Sequence, residues 1–136
     1  MAIYTKGRRM RAFISGPITG VPDYMEKFSK AHIFLDSIGY EPINPALVTY
    51  RIPDSLGMDW EEYMSITLLL LKHCDAVCML EGWSKSPGAK IEHIMAQKLG
   101  LKIMYLKDIR DICADDGDAG GYMVISNEPN EKPAEA

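Results

Sequence analysis

The chain has little of what marks the specialised classes of protein. Cysteine is scarce: Cys74, Cys78 and Cys113 are the only three in 136 residues. An odd set cannot close into a disulfide framework, and the expectation is reduced thiols in a cytoplasmic protein. No second Cys/His pair at finger-like spacing completes a zinc site around Cys74 and Cys78, so no metal is expected. Long apolar runs are also missing. Ile66–Leu71 covers six residues before Lys72 and His73, against the roughly 20 that span a bilayer, so no membrane partner is expected. Positive charge is not in excess: 15 Lys+Arg stand against 19 Asp+Glu, a net charge of −4. Displacing counterions from nucleic-acid phosphates needs clustered basic residues, so nucleic acid is not an expected partner. Residues 1–9 carry Lys6, Arg8 and Arg9 without the apolar stretch of a signal peptide, and they read as a flexible leader.

What is present is the composition of an ordinary globular domain, 47% hydrophobic and 25% charged. A chain of this length buries roughly two thirds of its unfolded surface, enough for a core without staples. Ala12-Phe13-Ile14 is a short strand that Ser15-Gly16-Pro17-Ile18-Thr19-Gly20 must end. Tyr24, Phe28, Ala31, Leu35 and Ile38 then share one helical face, closed by Gly39. Tyr40–Ile43 is a second strand ended by Asn44-Pro45, and a long loop with Pro53 and Gly57 runs to Asp59. Loops of that length in compact domains are often functional.

Asp59 and Glu62 form a capping box for a second helix whose apolar face carries Trp60, Tyr63, Met64, Thr67, Leu68 and Leu71. Asp75–Leu80 has the continuous apolar run of a buried strand, and Ser86-Pro87 reads as an N-cap and first-turn proline of a third helix ending before Gly100. Leu101–Leu106 is a last strand. The alternation predicts an α/β domain over residues 10–107, a flavodoxin/Rossmann-like parallel sheet of four to five strands flanked by helices. Residues 108–136 read as an acidic tail, partly disordered or docked on a subunit.

Open parallel sheets bind ligands beyond the carboxyl ends of their strands, which directs attention to the loops after Ile14, Ile43 and Leu80. In the third helix Glu92 shares a face with Gly88, Met95, Ala96 and Leu99, the side such a helix turns towards the sheet. A carboxylate there needs a hydrogen-bond network or a chemical use. The competing arrangement rotates the helix so that Ile91 and Ile94 form the buried stripe and Glu92 reaches solvent. An inward Glu92 near a helix N-terminus could attack a carbon bearing a leaving group, as in glycosyl transfer. Ser86, with the amides of Gly88 and Ala89, would suit a phosphate or a sugar hydroxyl, although Ser86 can equally be only a cap. Asp75 is read as satisfying loop amides. Trp60 is read as core and Trp83, in a loop, as the better base-stacking candidate; His93 points about 100° away from Glu92 around the helix and does not pair with it.

Ile14-Ser15-Gly16-Pro17-Ile18-Thr19-Gly20, Asn44-Pro45-Ala46, Cys74-Asp75-Ala76-Val77, Leu80-Glu81-Gly82-Trp83 and Ser86-Pro87-Gly88-Ala89 leading to Glu92 together resemble the nucleoside 2-deoxyribosyltransferase-like superfamily. The likeness covers about residues 10–106 and is nearest to a small bacterial and phage branch related to nucleoside 5′-monophosphate N-glycosidases. It implies cleavage or exchange of an N-glycosidic bond through a covalent glycosyl-enzyme formed on Glu92, without cofactor. The ligand would be held by Ser15, Gly16, Ile18, Thr19, Gly20, Asn44, Thr67, Trp83, Ser86, Gly88 and Ala89. Where the transferases have an aspartate for the sugar 5′-hydroxyl, this chain has Ser86, as the monophosphate glycosidases do, which favours a 5′-phosphate. Phe13 and Thr67 depart from the family pattern, which has a tyrosine and an aspartate there. They carry the alternative of a non-catalytic module that binds or sequesters a nucleotide. A homodimer or higher homo-oligomer is expected. A third reading, an interaction protein, rests only on the long loop and the acidic tail.

Overall fold

A computed structural model of the chain describes residues 3–108, 123–129 and 131. Its centre is a five-stranded sheet. Strands β3 (Arg11–Ser15), β4 (Glu41–Ile43), β5 (Ala76–Met79) and β6 (Lys102–Asp108) are mutually parallel, and β7 (Met123–Ser126) adds antiparallel to β6. The spatial order is β4-β3-β5-β6-β7, which in chain order is the 2-1-3-4-5 of flavodoxin-like sheets. The expected α/β class and strand number are therefore what the chain adopts.

Helices cover both faces. Alternation along β3 sends Ala12 and Ile14 to one face, where Phe28, Ala31 and Leu35 of α1 (Tyr24–Ser37) meet them, and Phe13 to the other. On that second face Leu71 of α3 (Trp60–Lys72) and Ala89 and Ala96 of α4 (Pro87–Leu99) close over Phe13, Val77 and Met79. Parallel strands buried on both faces need apolar residues at every position, and all four residues of β5 are buried.

The starts of α3 and α4 follow their signals. Asp59 Oδ1 accepts from the Glu62 amide at 2.8 Å while Glu62 Oε1 accepts from the Asp59 amide at 3.0 Å, a complete capping box. Ser86 caps α4, accepting from the Ala89 amide at 3.2 Å. Asp75 has the structural role read for it: Oδ2 accepts from the Arg11 amide at 2.8 Å and from Arg8 Nη1 at 2.7 Å. The Arg8 hydrogen bond holds the Asp75 carboxyl below its ordinary value, against the opposing effect of burial.

Three segments differ from the sequence expectation. Residues 4–9, expected as a flexible leader, form a hairpin of β1 (Tyr4–Thr5) and β2 (Arg8–Arg9). Lys6 and Gly7 both have positive φ, 50° and 75°, the condition for a two-residue turn whose twist matches the strands. Arg8 on Asp75 and Arg9 on Asp36 tie it down. The loop between Ile43 and Asp59 contains helix α2 (Pro45–Tyr50) and a 3-10 turn at Asp54–Leu56. Asn44-Pro45, read as ending a strand, also begins this helix: Asn44 Oδ1 accepts from the Ala46 amide at 3.1 Å and Pro45 occupies the first turn. Finally, part of the tail is a strand, β7; the remainder of that expectation, residues 109–122 with 130 and 132–136, lies outside the described residues. Among the described residues no helix is long and apolar enough to cross a membrane.

Candidate active site

In a doubly wound sheet the helices following two adjacent strands leave in opposite directions where the order reverses, and a crevice opens there. Here that point lies between β3 and β5, whose following helices α1 and α4 lie on opposite faces. Gly16, directly after β3, closes the approach: a Cβ at this position would lie 2.9 Å from Leu80 Cβ. Gly88 performs the matching service between helices, since a Cβ there would stand 3.2 Å from Met64 Sδ. The result is a cleft of about 1330 Å³ over the carboxyl ends of the two strands.

Glu92 lies in it, one and a half turns into α4 and only 6% exposed. Ile91 and Ile94 are 39% and 51% exposed, so the helix presents the carboxylate rather than those side chains to the sheet. Its partner comes from the other side of the switch point, the Ser15 hydroxyl donating to Glu92 Oε1 at 2.6 Å. Ser15 is on the face of β3 that carries Phe13, because side chains two apart share a face. Burial pushes the Glu92 carboxyl up to about 7, against the hydrogen bonds of Ser15 and Thr67 that favour its ionised form. Thr67, also buried, has the Met64 carbonyl as a second acceptor at 3.2 Å.

The expected ligand-binding residues divide. Gly16, Ile18, Thr19, Thr67, Ser86, Gly88 and Ala89 line the cleft with Glu92. Ser15 touches Glu92 from beneath. Gly20, with φ +77°, is exposed and off the lining, and Asn44 is buried as the cap of α2. Trp83 is a correction. It is 1% exposed and stacks on the His93 ring, centroids 4.3 Å apart, beneath α4. His93 in turn meets the Tyr105 hydroxyl at 2.8 Å through Nε2, away from Glu92 as its helical angle requires. The exposed indole on the cleft wall is Trp60, 49% exposed, which sequence reading assigned to the core. It stands in the first turn of α3 among the cleft-lining residues and is only half covered.

Sequence reading also missed Tyr50, Arg51, Lys27 and Lys85, which line the outer cleft with Asp54 and Glu81. The first two belong to the α2 segment, and the signal that could have found them is its Asn44-Pro45 cap. Among the described residues no three His, Cys, Asp or Glu side chains come together as a metal site. Burial pushes the Cys74 and Cys78 thiols up to about 12, which keeps them protonated and poor ligands.

Fold and site define a doubly wound α/β domain with a carboxylate buried in its switch-point cleft. The chain belongs to the family described as domain of unknown function (DUF4406), whose model matches residues 10–105. No curated protein matches it.

Proposed function

We propose that the protein cleaves or exchanges the N-glycosidic bond of a nucleoside or nucleoside 5′-monophosphate, with Glu92 as nucleophile. The observation that carries this reading is the Ser15–Glu92 pair at the floor of the cleft. A carboxylate that burial disfavours is held there by a hydroxyl, facing open volume. In the first step a Glu92 oxygen attacks the anomeric carbon. The C1′–N bond breaks, and its electron pair leaves with the base, which takes up a proton. In the second step water or another base attacks the same carbon and the carboxylate is released. The ionised form is the nucleophile, so base release rises with pH through about 7.

The start of α4 supports a 5′-phosphate as the ligand's anionic end: the Ser86 hydroxyl, which accepts from the Ala89 amide, keeps its own proton to donate, and the Gly88 amide and the helix dipole favour negative charge. Trp60 and Tyr50 offer aromatic surface for the base. The second reading is a nucleotide-binding module without turnover. It is favoured by Phe13 and Thr67: Phe13, fully buried and off the cleft lining, has no hydrogen bond to offer Glu92, and Thr67 brings a hydroxyl where the resembled family has an aspartate. Assembly into a homodimer or higher oligomer in the cytoplasm is part of the same proposal. The experiment is release of free base from the four common 2′-deoxynucleosides, the ribonucleosides and their 5′-monophosphates, by wild type and Glu92→Gln. Release by the wild type that disappears in the variant supports the enzyme. Ligand-dependent thermal stabilisation without release favours the binding module.

A further inference from the structure

The turn between β5 and α4 is one wall of the cleft, contributing Gly82, Lys85 and Ser86 to its lining. Gly82 has φ +89°, a conformation that a side chain would strain. It opens the short 3-10 turn Trp83–Lys85. The Gly82 and Ser84 amides both meet one carboxylate from the far end of the chain. Glu131 Oε2 accepts from the Gly82 amide at 2.6 Å; Oε1 accepts from the Ser84 amide at 3.2 Å and from the Ser84 hydroxyl at 2.7 Å. Ser84 is 6% exposed.

The sheet explains how Glu131 arrives there. Ser126 of β7 pairs with Tyr105, Tyr105 with Met79, and Met79 with Ser15, so these four residues form one row across the sheet. Because β7 runs antiparallel, it ends on the row where β3 and β5 end. The chain after Ser126 therefore leaves the sheet at the level of the cleft floor. Glu128 is near enough to Tyr105 to raise its hydroxyl, secondary to burial. Three donors on one carboxylate make charge-assisted hydrogen bonds, about twice as strong as neutral ones.

From this we infer that Glu131 is a positioning residue for the cleft: it sets the 82–85 turn and hence where Lys85 and the Ser86 cap face the ligand. The inference rests on the reading of the cleft as a nucleotide site. It is tested on the full chain with Glu131→Ala and Glu131→Gln. Amide hydrogen exchange at Gly82 and Ser84 needs no substrate, and it is expected to quicken about tenfold or more in Glu131→Ala. The Gln variant, which keeps one acceptor oxygen, falls between it and wild type. With the best-cleaved 5′-monophosphate as probe, KM is expected to rise about tenfold while kcat stays within about twofold, since Glu131 acts on binding geometry and not on the reacting atoms. Unchanged exchange in Glu131→Ala overturns the inference. So does quickened exchange with KM unchanged, or a fall in kcat alone. If wild type releases no base from any compound, it is the proposed function that fails; the exchange result still decides whether Glu131 holds the turn.

Discussion

Replacing Glu92 with Gln removes a charge that the fold resists while keeping the shape and an acceptor for Ser15. Burial raises the folded-state carboxyl from its ordinary 4.5 to about 7. Between those values the folded protein holds a proton that the unfolded chain has lost, so stability falls as pH rises through this window. At 1.36 kcal/mol per pKa unit the full cost is about 3 kcal/mol once pH exceeds the folded value. At pH 5 most of that cost is still absent, about 1 kcal/mol being felt; at pH 8 nearly all of it is. Glu92→Gln escapes this dependence, and every other titrating group cancels in the comparison. Its advantage over wild type is therefore expected to grow by about 2 kcal/mol from pH 5 to pH 8, or about 8 °C in Tm for a domain of this size. Calorimetric melting of both proteins across that range measures it. A Tm difference that stays constant with pH would refute the reasoning, because it would mean that Glu92 ionises in the folded protein as it does in the unfolded chain.

The two tryptophans should separate cleanly. Trp60→Ala, at a half-exposed cleft position, is expected to weaken nucleotide binding by about 1–3 kcal/mol with little change in Tm, read by titration calorimetry. Trp83→Ala is expected to cost about 3–5 kcal/mol of stability in denaturant melts, because it empties a buried site. Gly16→Ala, whose new Cβ would meet Leu80 Cβ at 2.9 Å, is expected to destabilise by about 1–3 kcal/mol and to lower ligand affinity, since backbone must shift at the cleft. Asp75→Ala leaves the Arg11 amide without its carboxylate acceptor and is expected to cost about 1–3 kcal/mol near neutral pH. Because its folded-state carboxyl lies below the ordinary 3.8, wild type should lose that advantage only as pH falls through the folded value, which acid titration of the two Tm values checks.

The order of β3 to β6 with α1, α3 and α4 was readable because these elements carried their own punctuation: Gly39 and Gly100 past helix ends, Asp59 and Ser86 at helix starts, and an uninterrupted apolar run for β5. Glu92 was readable as an inward carboxylate because helical periodicity places it with Gly88 and Ala96. Its partner Ser15 is 77 residues away, and nothing local to either residue fixes which hydroxyl it meets. Trp83 and Trp60 were exchanged for the same reason. Whether an indole is covered depends on what packs against it in space: Trp83, in a loop, packs with Ala89 and Ala96 of α4, whereas Trp60, on a helix face, opens onto the cleft. The Glu131 contact depends on the direction of β7, which local pattern does not encode.

The most direct test of Glu92 as nucleophile is intact-mass measurement after incubation with 2′-deoxy-2′-fluoro nucleoside 5′-monophosphates, in which the electron-withdrawing fluorine slows release of a glycosyl-enzyme. The account predicts a protein mass increased by one sugar phosphate, mapped to Glu92 by peptide sequencing and absent from Glu92→Gln. Base release by the wild type with no adduct, or an adduct on another residue, would contradict it.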